Sequence, residues 1–172
     1  MPGNVILVGF MGAGKSTCGR LLARRLGRCF VETDDMIVAR DGRPIHEIFH
    51  LDGEETFRRL ETEAVEALKL KSDEVIATGG GLPCREGRME ALRALGTVVW
   101  LRGDVGELLA RARRSGQRPM LDGRSAAEID ALFRAREPYY AQAHLTVDTA
   151  GLTMDQVVQR IVSALRETHA RV

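Results

Sequence analysis

The octapeptide from Gly9 to Ser16 constrains this chain more than any other feature. Its sequence, Gly-Phe-Met-Gly-Ala-Gly-Lys-Ser, matches the pattern G-x-x-x-x-G-K-[ST] in full. It follows the apolar run Val5–Val8 and precedes a stretch with helical spacing, so we expect a strand, a loop and a helix in that order. A strand that delivers the chain directly into a helix N-terminus is typical of an α/β fold with a parallel sheet.

The residue types of this loop are those that the binding of a nucleoside triphosphate needs. Glycines let the backbone pass close to an anion, and the N–H groups at the helix N-terminus attract it. Lys15 can reach the β- and γ-phosphates, and the hydroxyl of Ser16 can ligate Mg²⁺. A chance match would need strand, loop and helix to fall in register by accident. The expected nucleotide-binding residues of the loop are Gly12, Ala13, Gly14, Lys15, Ser16 and Thr17.

Beyond the loop, short β-rich apolar runs alternate with stretches of helical spacing. The apolar runs are Val5–Val8, Cys29–Val31, Val75–Ala77, Val98–Leu101 and Leu145–Val147. Strand, helix and strand in repetition predict a parallel sheet that helices cover on both faces. An apolar stripe from Val157 to Leu165 predicts one of these helices, and Gly27 is placed to end another.

Length and charge limit the classes of function that are open to the chain. With 172 residues and 44% apolar content, residues 1–172 are expected to form one domain. The 25 Lys and Arg and 24 Asp and Glu residues leave a formal net charge of +1, which argues against binding to nucleic acid or to an anionic membrane. No apolar run approaches the roughly 20 residues of a membrane span, and the N-terminus lacks the basic segment of a secretory signal. We therefore expect a soluble, cytoplasmic protein.

Two polar segments follow predicted strands, where the ligand crevices of parallel sheets lie. Glu32, Thr33 and Asp34 follow the second strand, and one of the carboxylates can orient an acceptor hydroxyl. The alternative role is structural, because Thr33 is a good helix N-cap and acids suit the first turn of a helix. The other segment, Thr78–Gly81, has three consecutive glycines. They favour close approach of the backbone to a ligand over a tight turn that needs positive φ.

Charged residues cluster in two further segments. Glu54–Glu61 places Arg58 and Glu61 one turn apart, and its default interpretation is a solvated helix face. Arg111–Arg124 is basic and poor in apolar residues, which is typical of a mobile loop that closes over phosphates. An arginine-rich helix end is the alternative interpretation of that segment.

Taken together, these segments resemble the shikimate kinase family. The residues that carry the resemblance are Gly9–Thr17, Glu32–Asp34, Gly53–Glu54 with Phe57–Arg58 and Glu61, Thr78–Gly81, Arg118–Leu121 and Arg136–Tyr140. Their order and spacing cover nearly the whole chain. The resemblance implies an α/β, three-layer P-loop kinase fold of the nucleoside monophosphate kinase type with a five-stranded parallel sheet. It also implies an acceptor-binding helical segment around residues 34–60 and a mobile lid around residues 112–124.

The resemblance further implies an acceptor site for shikimate. By this analogy Asp34 contacts the ring hydroxyls, Arg58 and Arg136 hold the carboxylate, and a glycine segment lines the site. The chemistry agrees, because guanidinium forks suit a carboxylate and a carboxylate accepts hydrogen bonds from hydroxyls. The implied substrate-binding residues are Asp34, Arg58, Gly79, Gly80, Gly81 and Arg136.

The cofactors that the resemblance implies are ATP and Mg²⁺. The implied catalytic residues are Lys15, Asp34 and Arg118. Arg118 would reach the transferring phosphate from the lid, and Arg111 would stack on adenine. Ser16 and Glu32 are the implied metal ligands. The family usually has Asp at the position of Glu32, so the longer acid changes the geometry around an outer-sphere ion.

The expected activity is ATP-dependent phosphorylation of the 3-hydroxyl of shikimate, a step of aromatic amino acid biosynthesis, by a monomeric enzyme. Phosphorylation of another small hydroxy acid such as gluconate is the alternative among kinases, because both acceptors combine a carboxylate with vicinal hydroxyls. A non-catalytic nucleotide-binding module, in which Asp34 only starts a helix, is the alternative from a different class of protein.

Overall fold

A five-stranded parallel sheet forms the centre of the computed structural model, which describes residues 3–114 and 124–170. The strands are β1 (Asn4–Val8), β2 (Phe30–Glu32), β3 (Val75–Ala77), β4 (Gly96–Arg102) and β5 (Leu145–Asp148). Their order across the sheet is β2-β3-β1-β4-β5, and every neighbouring pair is parallel. All five predicted apolar runs form strands, with bounds within two residues of those expected.

Helices cover both faces of this sheet. They are α1 (Lys15–Leu26), α2 (Thr33–Asp41), α3 (Ile45–Leu68), α4 (Arg88–Leu95), α5 (Val105–Arg114), α6 (Ala126–Tyr140) and α7 (Met154–Ala170). Every residue of β1 is buried, and because successive side chains of a strand point to opposite faces, neither face of the sheet is open to water at this central strand. The α/β kinase-type fold that the sequence predicts is confirmed.

The predicted apolar stripes lie where the helices meet the core. Val157, Ile161 and Leu165 of α7 are almost fully buried, and α7 packs against α1. The helix α1 ends at Gly27, whose left-handed backbone (φ 66°, ψ 37°) lets its N–H bond back to the last turn, as predicted. Within the described ranges no helix has both the length and the apolar composition needed to cross a bilayer.

The segment expected to bind the acceptor is helical, as predicted, and the described start of the basic segment is helical as well. Residues 34–60 lie on α2 and α3, and α3 is broken at Gly53 (φ 79°, ψ 177°) and runs on to Leu68. The prediction of a loop from Arg111 is wrong for its first residues, because α5 continues to Arg114. Buried Leu108 and Ala112 anchor that helix, and arginine is a good helix former.

Candidate active site

The loop Gly9–Ser16 joins β1 to α1 as predicted and packs against α5. Gly14 is the N-cap of α1, with a left-handed backbone (φ 82°, ψ 23°) and no side-chain cap. An anion such as phosphate can complete this helix N-terminus. Gly12 adopts φ +78°, and a Cβ there would overlap the backbone carbonyl of Leu108, so only glycine allows the close approach of the loop to α5.

Lys15 is buried within this loop. Its Nζ donates to the carbonyl oxygens of Gly9, at 2.8 Å, and of Phe10, at 3.1 Å. The two carbonyls hold the ammonium group inside the curve of the loop. Its positive charge therefore lies close to any phosphate that the loop binds.

Ser16 and Glu32, the two expected metal ligands, lie side by side. The hydroxyl of Ser16 donates to Glu32 Oε1 at 2.5 Å, and Arg20 lies 3.4 Å from Glu32 Oε2. A hydroxyl and a carboxylate in contact beside a phosphate loop fit Mg²⁺, which takes few protein ligands and completes its shell with phosphate oxygens and water. In residues 3–114 and 124–170 no group of three or more His, Cys, Asp or Glu side chains is arranged to hold a metal ion.

Asp34, on the first turn of α2, points at the glycine segment that follows β3. A Cβ on Gly79 would lie only 2.6 Å from Asp34 Oδ1, so the glycine makes room for the carboxylate. Thr33 ties the same segments together, because the Gly79 N–H donates to its Oγ1 at 3.0 Å. The N-cap interpretation of Thr33 is wrong: α2 begins at Thr33, and Glu32 occupies the N-cap position.

The electrostatic environment of Asp34 suits a base that works near neutral pH. Burial raises its pKa from 3.8 to about 6, against the pull of Lys15 in the opposite direction. The negative charges of Glu32, Glu61 and Asp35 raise the pKa further. A carboxylate with this pKa holds a proton more readily than an ordinary Asp, yet is mostly ionised at pH 7.

The segment Gly79–Gly81 is in contact with the phosphate loop. A Cβ on Gly80 would lie 3.5 Å from the Gly9 carbonyl oxygen and 3.7 Å from the Met11 nitrogen. None of the three glycines has a φ in the left-handed region, so a turn that needs such a φ is excluded as their explanation. Close approach of another group accounts for Gly79, where a Cβ would lie 2.6 Å from Asp34 Oδ1, whereas a Cβ on Gly80 would make ordinary van der Waals contacts.

Arg58 lies on α3, beyond the break at Gly53, and is held by two acids. Its Nη1 is 2.8 Å from Glu61 Oε2, and its Nη2 is 2.9 Å from Glu54 Oε1. The interpretation of this segment as a solvated charged face is wrong for two residues. Glu61 is only 2% exposed and the Arg58 side chain 19%, because the helix packs this side against the core. Glu61 fixes the orientation of the guanidinium group.

Arg136 reaches the same place from α6. A Cβ on Gly81 would lie 3.2 Å from Arg136 Nη2 and 3.4 Å from Arg58 Nη1. Arg136 is 8% exposed, its guanidinium lies over the ring of Phe10 with its Cζ 5.7 Å from the centroid, and among the described side chains no carboxylate forms an ion pair with it. A buried cation is stabilised by a nearby anion, and a carboxylate bound beside Gly81 would supply one.

The two remaining predicted residues are placed differently. Arg111 lies on α5, where its Nη2 is 3.5 Å from Glu107 Oε2. Its Nη1 is buried and has no hydrogen-bond partner in the described part of the chain. The assignment of Arg111 to adenine stays a prediction. Arg118 lies outside the described residues, together with most of the predicted lid, and its role also stays a prediction.

Sequence reasoning missed the contributions of Glu61 and Tyr140. Glu61 belongs to the site through its ion pair with Arg58, and the Tyr140 hydroxyl donates to the Gly80 carbonyl at 2.6 Å. The signal for Glu61 was its place on the apolar side of α3 with Phe57 and Leu60, which are both buried. No spacing rule linked Tyr140 to the glycine segment, because the two are far apart in the chain.

Comparisons with known proteins agree with this geometry. The family model described as shikimate kinase matches residues 11–166. A shikimate kinase from Moorella thermoacetica is 47% identical over 166 residues, covering 96% of each chain. The solved shikimate kinase of Acinetobacter baumannii in complex with shikimate superposes with a TM-score of 0.90 at 36% identity, over 96% of this chain and 94% of that one.

A likeness to a gluconokinase from Sinorhizobium meliloti is weaker. Its TM-score is 0.63 at 19% identity, which shows a common fold alone. The family match and the relatives at high identity both favour the first of the expected activities over the gluconate alternative and over a non-catalytic module. The chain belongs to the shikimate kinase family, whose members are phosphotransferases that use ATP.

Proposed function

We propose that this protein transfers the γ-phosphoryl group of ATP to the 3-hydroxyl of shikimate. The observation that carries the proposal is the convergence of Arg58 and Arg136 beside Gly81, with Asp34 against Gly79. Two residues of backbone span at most about 7 Å, which is the scale of a six-membered ring with a carboxylate at one end and hydroxyls at the other. The relative from A. baumannii that was solved with shikimate supports the same acceptor.

Asp34 is the group that we assign to the acceptor hydroxyl. In the transfer the hydroxyl oxygen forms a bond to the γ-phosphorus, the bond from that phosphorus to the β–γ bridging oxygen breaks, and ADP leaves. The proton of the hydroxyl passes to the Asp34 carboxylate, whose pKa of about 6 makes it a suitable acceptor. Asp34 also aligns the hydroxyl before transfer.

The phosphate loop supplies the other half of the reaction. Lys15 places a positive charge inside the loop, and the N-terminus of α1 adds the helix dipole. Both favour the negative charge of the triphosphate, and such fixed groups act most strongly where charge moves in the transition state. Arg111, with its buried Nη1, is our candidate for the adenine side.

Ser16 and Glu32 are the residues that would hold Mg²⁺. Bound there, the ion supplies positive charge to the triphosphate oxygens. Glu32 accepts a hydrogen bond from Ser16 and pairs with Arg20, so it is already oriented toward the hydroxyl.

The experiment is a coupled assay of ADP release from ATP with shikimate or gluconate as acceptor. We expect turnover that depends on shikimate and only a background rate with gluconate. Asp34→Asn should abolish transfer with ATP binding intact, and Arg58→Ala should mainly raise the KM for shikimate. ATP turnover that does not respond to shikimate would contradict the proposal.

Arg59→Ala is the matched control for Arg58→Ala. Arg59 is the next residue of α3, its side chain is 64% exposed, and it pairs with Glu63 on the outer face. The control loses the same charge and a similar volume without touching the site. It should keep the wild-type KM for shikimate, whereas an equal rise in both variants would show a general electrostatic effect.

A further inference from the structure

The hydroxyl of Tyr140 is buried against the glycine segment that lines the acceptor site. Its Oη donates to the Gly80 carbonyl oxygen at 2.6 Å, and the residue has no exposed surface (0%). Tyr140 ends the segment Arg136–Tyr140, which stands out in the sequence. The proposed function uses Arg136 from this segment and leaves Tyr140 without a role.

Gly80 lies between the phosphate loop and the proposed acceptor site. A Cβ there would lie 3.5 Å from the Gly9 carbonyl oxygen of the phosphate loop and 3.6 Å from Arg136 Nη1. Its own carbonyl accepts from Tyr140, and more weakly from Cys84 Sγ at 3.6 Å. The orientation of this peptide therefore depends mainly on one strong donor.

Tyr140 is well placed to act through Arg136. The two residues are four apart on α6, so their side chains lie on the same face of the helix. The Tyr140 ring packs against Trp100 of β4, with centroids 6.0 Å apart, which fixes the hydroxyl in space. Burial raises the pKa of Tyr140, so the hydroxyl keeps its proton and remains a donor at physiological pH.

We propose that Tyr140 is a positioning residue whose hydrogen bond to Gly80 fixes the Gly79–Gly81 backbone against Arg136 and so shapes the subsite for the acceptor carboxylate. This inference rests on the proposed function. Without the bond, a carbonyl in a tightly packed segment loses its strong donor, and its peptide plane can rotate. Rotation would move Gly81, beside which Arg58 and Arg136 meet.

The test is steady-state kinetics of Tyr140→Phe, which removes a single oxygen, with Tyr139→Phe as the matched control. Tyr139 is half-buried, and its hydroxyl has no hydrogen bond within residues 3–114 and 124–170. We expect the KM for shikimate of Tyr140→Phe to rise about five- to tenfold, with kcat and the KM for ATP within twofold of wild type. Tyr139→Phe should behave as wild type.

Two results would overturn the inference: a KM for shikimate within twofold of wild type, or a parallel rise of both KM values, which would indicate a general loosening of the fold. The wild-type assay is run first and separates the two proposals. No transfer to shikimate by the wild type contradicts the proposed function, whereas normal transfer with an unchanged Tyr140→Phe variant contradicts only the role of Tyr140.

A second measurement covers the case in which Tyr140→Phe does not fold. The chain has two tyrosines, so labelling with 3-fluorotyrosine gives ¹⁹F signals from Tyr139 and Tyr140 alone, and the labelled Tyr139→Phe protein assigns them. Saturation with shikimate should shift the Tyr140 signal because the acceptor binds on the glycine segment that its hydroxyl contacts. A Tyr140 signal that shikimate leaves unmoved would overturn the inference.

Discussion

Arg58 on α3 and Arg136 on α6 bring their guanidinium groups to one point beside Gly81. A Cβ on that glycine would lie 3.4 Å from Arg58 Nη1 and 3.2 Å from Arg136 Nη2. Two cations this close repel each other, and Glu61 pairs with Arg58 alone. An anion between them relieves the repulsion. The pair is therefore expected to select acceptors that carry a carboxylate.

The crowding at Gly81 leads to the first prediction. Gly81→Ala places a methyl group 3.2 Å from Arg136 Nη2 and 3.4 Å from Arg58 Nη1, so the Arg136 guanidinium group must shift by a few tenths of an ångström. The backbone of Gly81 does not have a positive φ, so alanine strains no dihedral angle. We expect the KM for shikimate to rise about tenfold, measured by steady-state kinetics. The KM for ATP is the internal control, and an unchanged KM for shikimate would show that the arginines do not hold the acceptor.

The pKa of Asp34 leads to a prediction for the pH dependence of transfer. The carboxylate must be ionised to take the proton of the hydroxyl, and it is protonated below about pH 6. The value of kcat/KM for shikimate should therefore be level above that pH and fall about tenfold per unit below it. Asp34→Asn should show no transfer at any pH across this range, because the variant has no group that can take the proton. A wild-type profile that stays flat down to pH 5 would rule out Asp34 as the base.

The same pKa predicts that Asp34 lowers the stability of the protein. The folded-state pKa of about 6 lies above the ordinary 3.8, so Asp34 ionises at a lower pH in the unfolded chain than in the folded protein. Ionisation of Asp34 therefore lowers the free energy of unfolding as pH rises through this range. This destabilisation is absent below pH 3.8 and complete above pH 6. Asp34→Asn should raise the free energy of unfolding by about 2 to 3 kcal/mol at pH 8. Urea denaturation at pH 8 and at pH 3.5 measures both limits, and equal stabilities of variant and wild type at pH 8 would contradict the prediction.

His144 should make the sheet sensitive to acid. Its Nδ1 accepts a hydrogen bond from the Val98 N–H at 3.0 Å, which requires the neutral ring. Partial desolvation of the ring, followed by the charge of Arg93, lowers its pKa below the ordinary 6.5. The stability that this bond contributes is therefore present above pH 6.5 and is lost as pH falls through the lower folded-state pKa.

The variant His144→Asn tests the role of this ring. Its side-chain oxygen can take the place of Nδ1 and does not titrate. Melting temperatures of variant and wild type should be similar at pH 8, and the variant should melt at the higher temperature at pH 5. The same difference at both pH values would show that protonation of His144 has no effect on stability.

Much of the fold could be predicted because the apolar residues that form its core follow the short sequence patterns of buried strands and of helices with one buried face. The run Val5–Val8 is apolar at every residue because both faces of its strand are covered, and the stripe Val157–Leu165 has the period of a helix with one buried face. The end of α5 could not be predicted in this way. Arg113 and Arg114 have good helix propensity but look like loop residues when read with the basic stretch that follows.

The structure brings Asp34, Arg58 and Arg136 to the glycine segment, as the resemblance implied, but the sequence did not predict how these side chains are held. Glu61 and Glu63 both lie within a turn of an arginine on α3, yet one is buried and the other half-buried, and only the packing of the helix against the core decides which. The contact of Tyr140 with Gly80 joins residues 60 positions apart. Local periodicity carries no information about such a pair.

Calorimetric titration with shikimate and with its methyl ester measures whether Arg58 and Arg136 bind the acceptor's carboxylate, because the ester lacks this anion. We predict that the wild type and the Arg59→Ala control bind the acid about 100-fold more tightly than the ester. Arg58→Ala and Arg136→Lys should each lose most of this preference, since each variant keeps only one of the two guanidinium groups. Equal binding of acid and ester by the wild type, or a wild-type preference in both variants, would contradict the account.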